Sequence, residues 1–200
     1  ERLHTIELDF LKPAGTAEFP KDLDIAFYLI HSMNSVIGDF AAPERQSANR
    51  FCELLEPTRC RQIVYLSGIV NEKILSTHPS SRLAVEQILR SGRIPCTVLR
   101  AGIVVGSGSA SFEIIRDLVE KLPVMIAPKW LQTRGQPIAV RNVIQFLVGV
   151  MLRAETYNRD FDIGGPEVLN YRQMLAQFAA VRGLRRLIIT VPVMTPRLSS

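Results

Sequence analysis

Short apolar runs alternate along this chain with longer stretches in which apolar residues recur every three or four positions. Continuous or alternating apolar segments read as strands and a 3.6-residue period reads as helix, so the pattern predicts an α/β protein built on a parallel sheet. Strands are predicted at Leu3–Leu8, Ile25–Ile30, Gln62–Leu66, Cys96–Leu99, Gln136–Val140, Phe161–Ile163 and Leu187–Val191. Ile25–Ile30 is apolar throughout, as expected of a strand buried on both faces with neighbours on each side. Helices are predicted over Pro43–Leu55, Pro79–Arg90, Asn142–Leu152 and Tyr171–Val181, with a further one capped by Ser111 and stopped by Pro123. Pro79 suits a first turn, and Ala84, Val85, Ile88 and Leu89 form the buried stripe of its helix. Phe112, Ile115, Val119 and Leu122 form the stripe after Ser111.

Two hundred residues with 47% hydrophobic content suffice for one well-cored domain. No linker, repeat or low-complexity tract interrupts them. The longest nearly apolar run, Val143–Leu152, contains Gln145 and is too short to span a bilayer. Residues 1–167 hold 19 acidic and 19 basic side chains, so the net charge of +5 comes from Arg172, Arg182, Arg185, Arg186 and Arg197. That basic end reads as a solvated helix end rather than a nucleic-acid surface, and no nucleic-acid partner is expected. Cys52, Cys60 and Cys96 are odd in number and lack C-x-x-C spacing, the usage of reduced thiols in a cytoplasmic protein. His4, His31 and His78 are far apart, so no metal site is expected.

The chemistry concentrates near Ser67 and His78-x-x-x-Arg82. Residues four apart on a helix share one face, so imidazole and guanidinium can point at one spot. Ser67 can orient a carbonyl or hydroxyl, or simply permit the turn into Gly68. His78 can act as acid or base near neutral pH, or cap the helix ahead of Pro79. Arg82 can hold a ribose or phosphate through its donor fork, or lie on the surface. Asp9, His31 and Ser32 follow apolar strands, where the ligand edge of an open α/β sheet lies. The Gly106-Ser107-Gly108-Ser109 loop offers backbone contacts or a plain turn, and Trp130 a pocket wall or packing. A dinucleotide-binding sheet opens with a strand, a Gly-rich turn and a helix, yet no G-x-x-G-x-x-G precedes Leu3. The expectation is that this sequence starts after the first ~50 to 60 residues of a natural domain. It would then lack the first strands of the sheet and the position that separates NAD from NADP.

Five landmarks fall in order: Leu8-Asp9-Phe10, Tyr28-Leu-Ile-His31-Ser32, Pro95-Cys-Thr-Val-Leu-Arg100-Ala-Gly102, Gln136-Pro-Ile-Ala-Val-Arg-Asn-Val143 and Phe161-Asp-Ile-Gly-Gly-Pro166. Taken together they resemble the extended and atypical short-chain dehydrogenase/reductases over nearly the whole chain. The resemblance implies a Rossmann-type doubly wound parallel sheet, NAD or NADP as cofactor, and a substrate-side segment around residues 123–200 within one partial domain. Asp9 and Phe10 would meet the adenine, Ile30, His31 and Ser32 would lie along the cofactor, and Ala101, Gly102 and Ile103 would face the nicotinamide. Ser67 would keep the family's serine role, while His78 and Arg82 replace the Tyr and Lys of Tyr-x-x-x-Lys. More narrowly, the stretch from Leu99 to Pro128 resembles bacterial NAD(P)H-binding proteins related to NmrA-like regulators and to the accessory NAD(P)H-binding subunit of respiratory complex I. Members of that group often continue into a further C-terminal domain. The implied function is an oxidoreductase or nucleotide-sugar-epimerase-like enzyme acting on a small molecule. The alternative is a non-catalytic NAD(P)H-binding sensor, regulatory or assembly protein.

Overall fold

The computed structural model describes residues 3–12, 19–30, 41–69 and 77–191, with the side chains of 41, 77–81, 129 and 130 outside that description. In chain order the elements are β1 (Ile25–Tyr28), α1 (Ala41–Leu55), β2 (Gln62–Gly68), α2 (Thr77–Ser91), β3 (Cys96–Ala101) and β4 (Val104–Val105). Then come α3 (Ala110–Lys121), β5 (Val124–Pro128), β6 (Arg134–Gly135), β7 (Ile138–Ala139) and α4 (Val140–Gly149). The remainder are β8 (Asp160–Ile163), β9 (Leu169–Asn170), α5 (Tyr171–Val181) and β10 (Leu187–Val191). They form two compact units, one of residues 1–100 with 146–162, the other of 101–145 with 163–200.

The first unit carries a four-stranded sheet in the order β1-β2-β3-β8. β1 runs parallel to β2, with Ile25 opposite Gln62 and Tyr28 opposite Tyr65. Ile63 and Tyr65 turn to one face of β2, where Ala48, Phe51 and Leu55 of α1 and Val85 and Leu89 of α2 close the core over them. Gln62, on the opposite face, is fully buried and saturated. Its amide donates to Thr97 Oγ1 at 2.8 Å and to the Val150 carbonyl at 3.0 Å, and its carbonyl accepts from Leu152 N. Thr97 in turn donates to the Thr156 carbonyl at 2.8 Å. These bonds tie the 150–156 connection to the sheet and hold Leu152 in the left-handed region at φ 53°. An ion network joins α2 to the sheet. Arg100 meets Glu86 at 2.7 Å and Asp160 at 2.6 Å, and Arg90 reaches Asp160 at 3.1 Å.

Two strand expectations change here. Leu3–Leu8 pairs with no strand among the described residues and Leu3 is 94% exposed, so its apolar alternation has no ladder to join. Ile25–Ile30 shortens to Ile25–Tyr28 and is half-buried rather than buried throughout, because within the described sheet β1 has a neighbour on one side only.

The second unit packs α3 against α5 around Ile115, Val119, Met125, Met174, Leu175 and Ala179, with the Phe112 and Phe178 rings edge-on at 5.5 Å. Its strands pair two by two: β4 with β7 and β5 with β10 in parallel, β6 with β9 antiparallel. The α3 cap is Ser109 rather than Ser111. Its hydroxyl accepts from Phe112 N and donates to the Val104 carbonyl at 2.6 Å, so the tie back to β4 selects it. Leu122 closes α3 from a largely exposed position instead of facing the core. Only Ile138–Ala139 of the expected Gln136–Val140 strand pairs, and Val140 already opens α4, ahead of the expected Asn142. At α5 the Asn170–Gln173 capping box sets the predicted start at Tyr171.

Candidate functional site

Parallel pairing places the carboxyl ends of β1 and β2 side by side, Tyr28 against Tyr65, with their rings edge-on at 5.5 Å. Ser67 follows two residues after Tyr65, on the same face. It is 3% exposed, and its buried hydroxyl finds no hydrogen-bond partner among the described residues. Burial pushes the Tyr65 phenol up. The Ser67 hydroxyl, close by but outside hydrogen-bond geometry, pulls it down, the Glu86 and Glu44 carboxylates push it further up, and the Arg82 charge counters them.

Arg82 comes from the second turn of α2, and its guanidinium rests on the backbone of Gly68. A β-carbon at position 68 would fall 2.8 Å from Arg82 Cζ and closer still to Nη1, so only glycine leaves this seat open. Among the described residues Arg82 pairs with no carboxylate, in contrast to Arg90 and Arg100 on the same unit. His78 lies in the first turn of α2, one turn before Arg82 on the same helical face, and its side chain is outside the described residues.

The other expected site residues divide. Asp9 is exposed, and its carboxylate accepts from Leu11 N at 2.9 Å and pairs with Lys12 at 3.2 Å. The Leu11 amide, then Lys12, hold it below the usual carboxylate range. Phe10 packs on Phe51 at 6.2 Å. Phe10 also borders an open groove of about 500 Å³ along α1, lined by Lys12, Arg45, Gln46, Asn49 and Arg50. Ile30 packs against the core of the first unit, and His31 and Ser32 lie outside the described residues. Ala101 ends β3, while Gly102 and Ile103 lead into β4. The Ile103 carbonyl is already engaged by Ile138 N at 2.9 Å. The Gly106–Ser109 loop serves as the entrance and cap of α3, and Gly106 is pressed on Val140, whose Cγ1 would lie 2.6 Å from a β-carbon there. The side chain of Trp130 is outside the described residues.

Two residues at this edge escaped the sequence reading. Tyr65 was legible as the alternation partner of Ser67. Glu44, in the first turn of α1, looks in sequence like an ordinary helix-start acid, yet its Oε2 is buried without a partner among the described residues.

A parallel sheet with helices returning over it, and polar side chains at its carboxyl edge, defines a Rossmann-type α/β protein. No protein-family model and no curated protein matches the sequence. Solved structures do match the fold. A short-chain dehydrogenase/reductase superfamily protein from Agrobacterium tumefaciens, solved with bound NAD, is 15% identical at a TM-score of 0.66, over 85% of this chain and 68% of its own. UDP-glucuronic acid 4-epimerase from Bacillus cereus, in complex with NAD, is 16% identical at 0.68, over 86% and 64%. RMD from Pseudomonas aeruginosa, complexed with NADPH, is 14% identical at 0.67, over 86% and 71%. At such identities the likeness shows the fold alone. The chain spans roughly two thirds of the length of these structures.

Proposed function

We propose that the protein binds NAD or NADP at the carboxyl edge of the sheet, with Ser67 and Arg82 as its principal polar contacts. The observation that carries this reading is a buried Ser67 hydroxyl without a hydrogen-bond partner among the described residues, one position before the Gly68 on which the Arg82 guanidinium is seated, at the edge where open α/β sheets take their ligands. These groups fit a dinucleotide: a planar five-donor fork suits ribose and phosphate oxygens, and a free hydroxyl suits a carboxamide or ribose oxygen. Asp9, Phe10, Ile30, His31 and Ser32 would extend the site toward the adenine, Ala101, Gly102 and Ile103 toward the nicotinamide. Working in the cytoplasm, as a relative of the NmrA-like and complex I accessory proteins, the chain would use the dinucleotide as a sensed or structural ligand.

A second reading, an oxidoreductase or epimerase-like enzyme, rests on Ser67 itself. The nicotinamide supplies hydride exchange when bound. Ser67 would polarise the substrate oxygen, His78 would give or take its proton, and Arg82 would position the cofactor, since guanidinium holds its proton throughout the working pH range. Fluorescence titration of the intact protein with NADH and NADPH tests the first reading, and absence of binding to both would sink it. The two readings separate at His78→Ala. The enzyme reading expects turnover to fall roughly 10²- to 10⁴-fold at near-constant cofactor affinity. The binding reading expects no turnover in the wild type and unchanged affinity in the variant.

A further inference from the structure

The second unit carries an open concavity of about 320 Å³ that the dinucleotide reading leaves unused. Met174, Gln177, Phe178 and Val181 recur at helical spacing and bring one face of α5 to it. Phe112 and Ile115, a turn apart on α3, line it with them, and so does Ile138 of β7. Ile115, Ile138 and Met174 are buried whereas Val181 is 84% exposed, so the concavity has a packed floor and an open mouth. Protein interiors leave few voids larger than a water molecule, which makes an apolar hollow of this size a feature in need of a cause. Water finds almost no hydrogen bonds on such walls, and an apolar body placed there is removed from solvent. The volume lies at the lower end for small-molecule pockets, room for one ring with a short chain rather than for a dinucleotide. A single polar side chain belongs to the lining. Gln177 Nε2 donates to Glu167 Oε2 at 3.3 Å, which leaves the Gln177 amide oxygen and the Glu167 carboxylate as acceptors beside the apolar wall. Among the described residues no cation pairs with Glu167, and Arg182, just past the end of α5, is held by Glu120 at 2.9 Å.

We propose that this concavity binds a small arylalkylamine. The ring lies against Phe112, Phe178 and Met174, whose aromatic and thioether surfaces favour an aromatic guest. The ammonium, with three donors and no acceptor, donates to the Gln177 amide oxygen and to Glu167. An anionic head would set acceptor against acceptor, and a sugar would lay hydroxyls on walls that cannot bond them. No residue of the sheet edge takes part, so the site stands or falls separately from dinucleotide binding.

The test titrates the intact protein by calorimetry with phenethylamine, phenethyl alcohol and hydrocinnamate, three probes that share the ring and differ in the head. The amine should bind most tightly, the alcohol about fivefold more weakly, the upper range for an ion pair at a surface, and the carboxylate more weakly still. Glu167→Gln, at an exposed position, should cost the amine about fivefold and leave the alcohol unchanged. Phe178→Leu should weaken amine and alcohol alike by about fivefold, because both lose the ring wall. If Phe178→Leu fails to fold, Phe112→Leu takes its place with the same expected loss. Equal affinity for the amine and the carboxylate would overturn the assigned ligand class, and amine binding that neither variant alters would overturn the assigned site. Binding of none of the three probes would overturn the proposal outright. A dimer in sedimentation that Val181→Arg splits would then give this surface to a second copy of the chain.

Discussion

At the scale of single residues, the contact between Gly68 and Arg82 is the sharpest feature of the candidate site. The atom that a β-carbon at position 68 would strike is the far end of a flexible side chain, so the guanidinium can swing away while the strand stays in place. Gly68→Ala is therefore expected to displace Arg82 without unfolding β2. Dinucleotide affinity should fall about tenfold, equivalent to about 1.4 kcal/mol, with the melting temperature nearly unchanged. A calorimetric titration beside a thermal melt checks both halves. A large drop in melting temperature would mean that Gly68 serves the strand rather than the seat of Arg82.

At the scale of elements, side-chain hydrogen bonds decide how connections attach to the sheet. Gln62 spends its whole amide on the 150–156 connection and on Thr97, residues 35 to 94 positions away in sequence. Gln62→Leu would fill the volume but leave the Thr97 and Thr156 hydroxyls short of a partner and the Leu152 N–H bare. The expected cost is about 2 to 4 kcal/mol, since several buried groups lose their bonds at once. Urea denaturation of the variant beside the wild type measures it, and a change below about 0.5 kcal/mol, the size typical of surface substitutions, would contradict the argument. The Ser109 cap of α3 acts by the same logic on a smaller scale, holding the helix start to β4.

At the scale of the whole molecule, burial shapes the response to pH. Cys96, wholly buried beneath α2, has its thiol pushed from 9.0 up to about 12, chiefly by desolvation, and Cys52, Cys60, Tyr28 and Tyr65 shift upward for the same first cause. A folded-state value above the unfolded one contributes stability below the unfolded value and loses it as pH rises toward the folded one. The melting temperature should therefore hold steady near neutrality and fall progressively above about pH 9, the unfolded thiol value. On the acid side Asp160, held down first by its bond from Arg90, favours the folded state above its unfolded value and loses that contribution as pH falls. A series of thermal melts across pH reads both limbs, and an alkaline limb that stays flat to about pH 10.5 would refute the burial argument.

Read alone, the sequence determined the kinds of element and much of their placing. Tyr171–Val181 and Leu187–Val191 appear at the predicted bounds, because a helical period closed by a cap and a short apolar run are local signals. The i, i+4 relation of His78 and Arg82 was legible for the same reason. Tertiary structure alone decided what depends on distant partners. Leu3–Leu8 has the pattern of a strand, yet no described strand pairs with it, since a ladder needs a neighbour that pattern cannot supply. Ser109 and not Ser111 caps α3, because the carbonyl that holds the capping hydroxyl belongs to Val104. The seat of Arg82 on Gly68 follows from how α2 docks on the end of β2. Hydrogen-bond satisfaction is a property of assembled neighbours, and no window of sequence contains them.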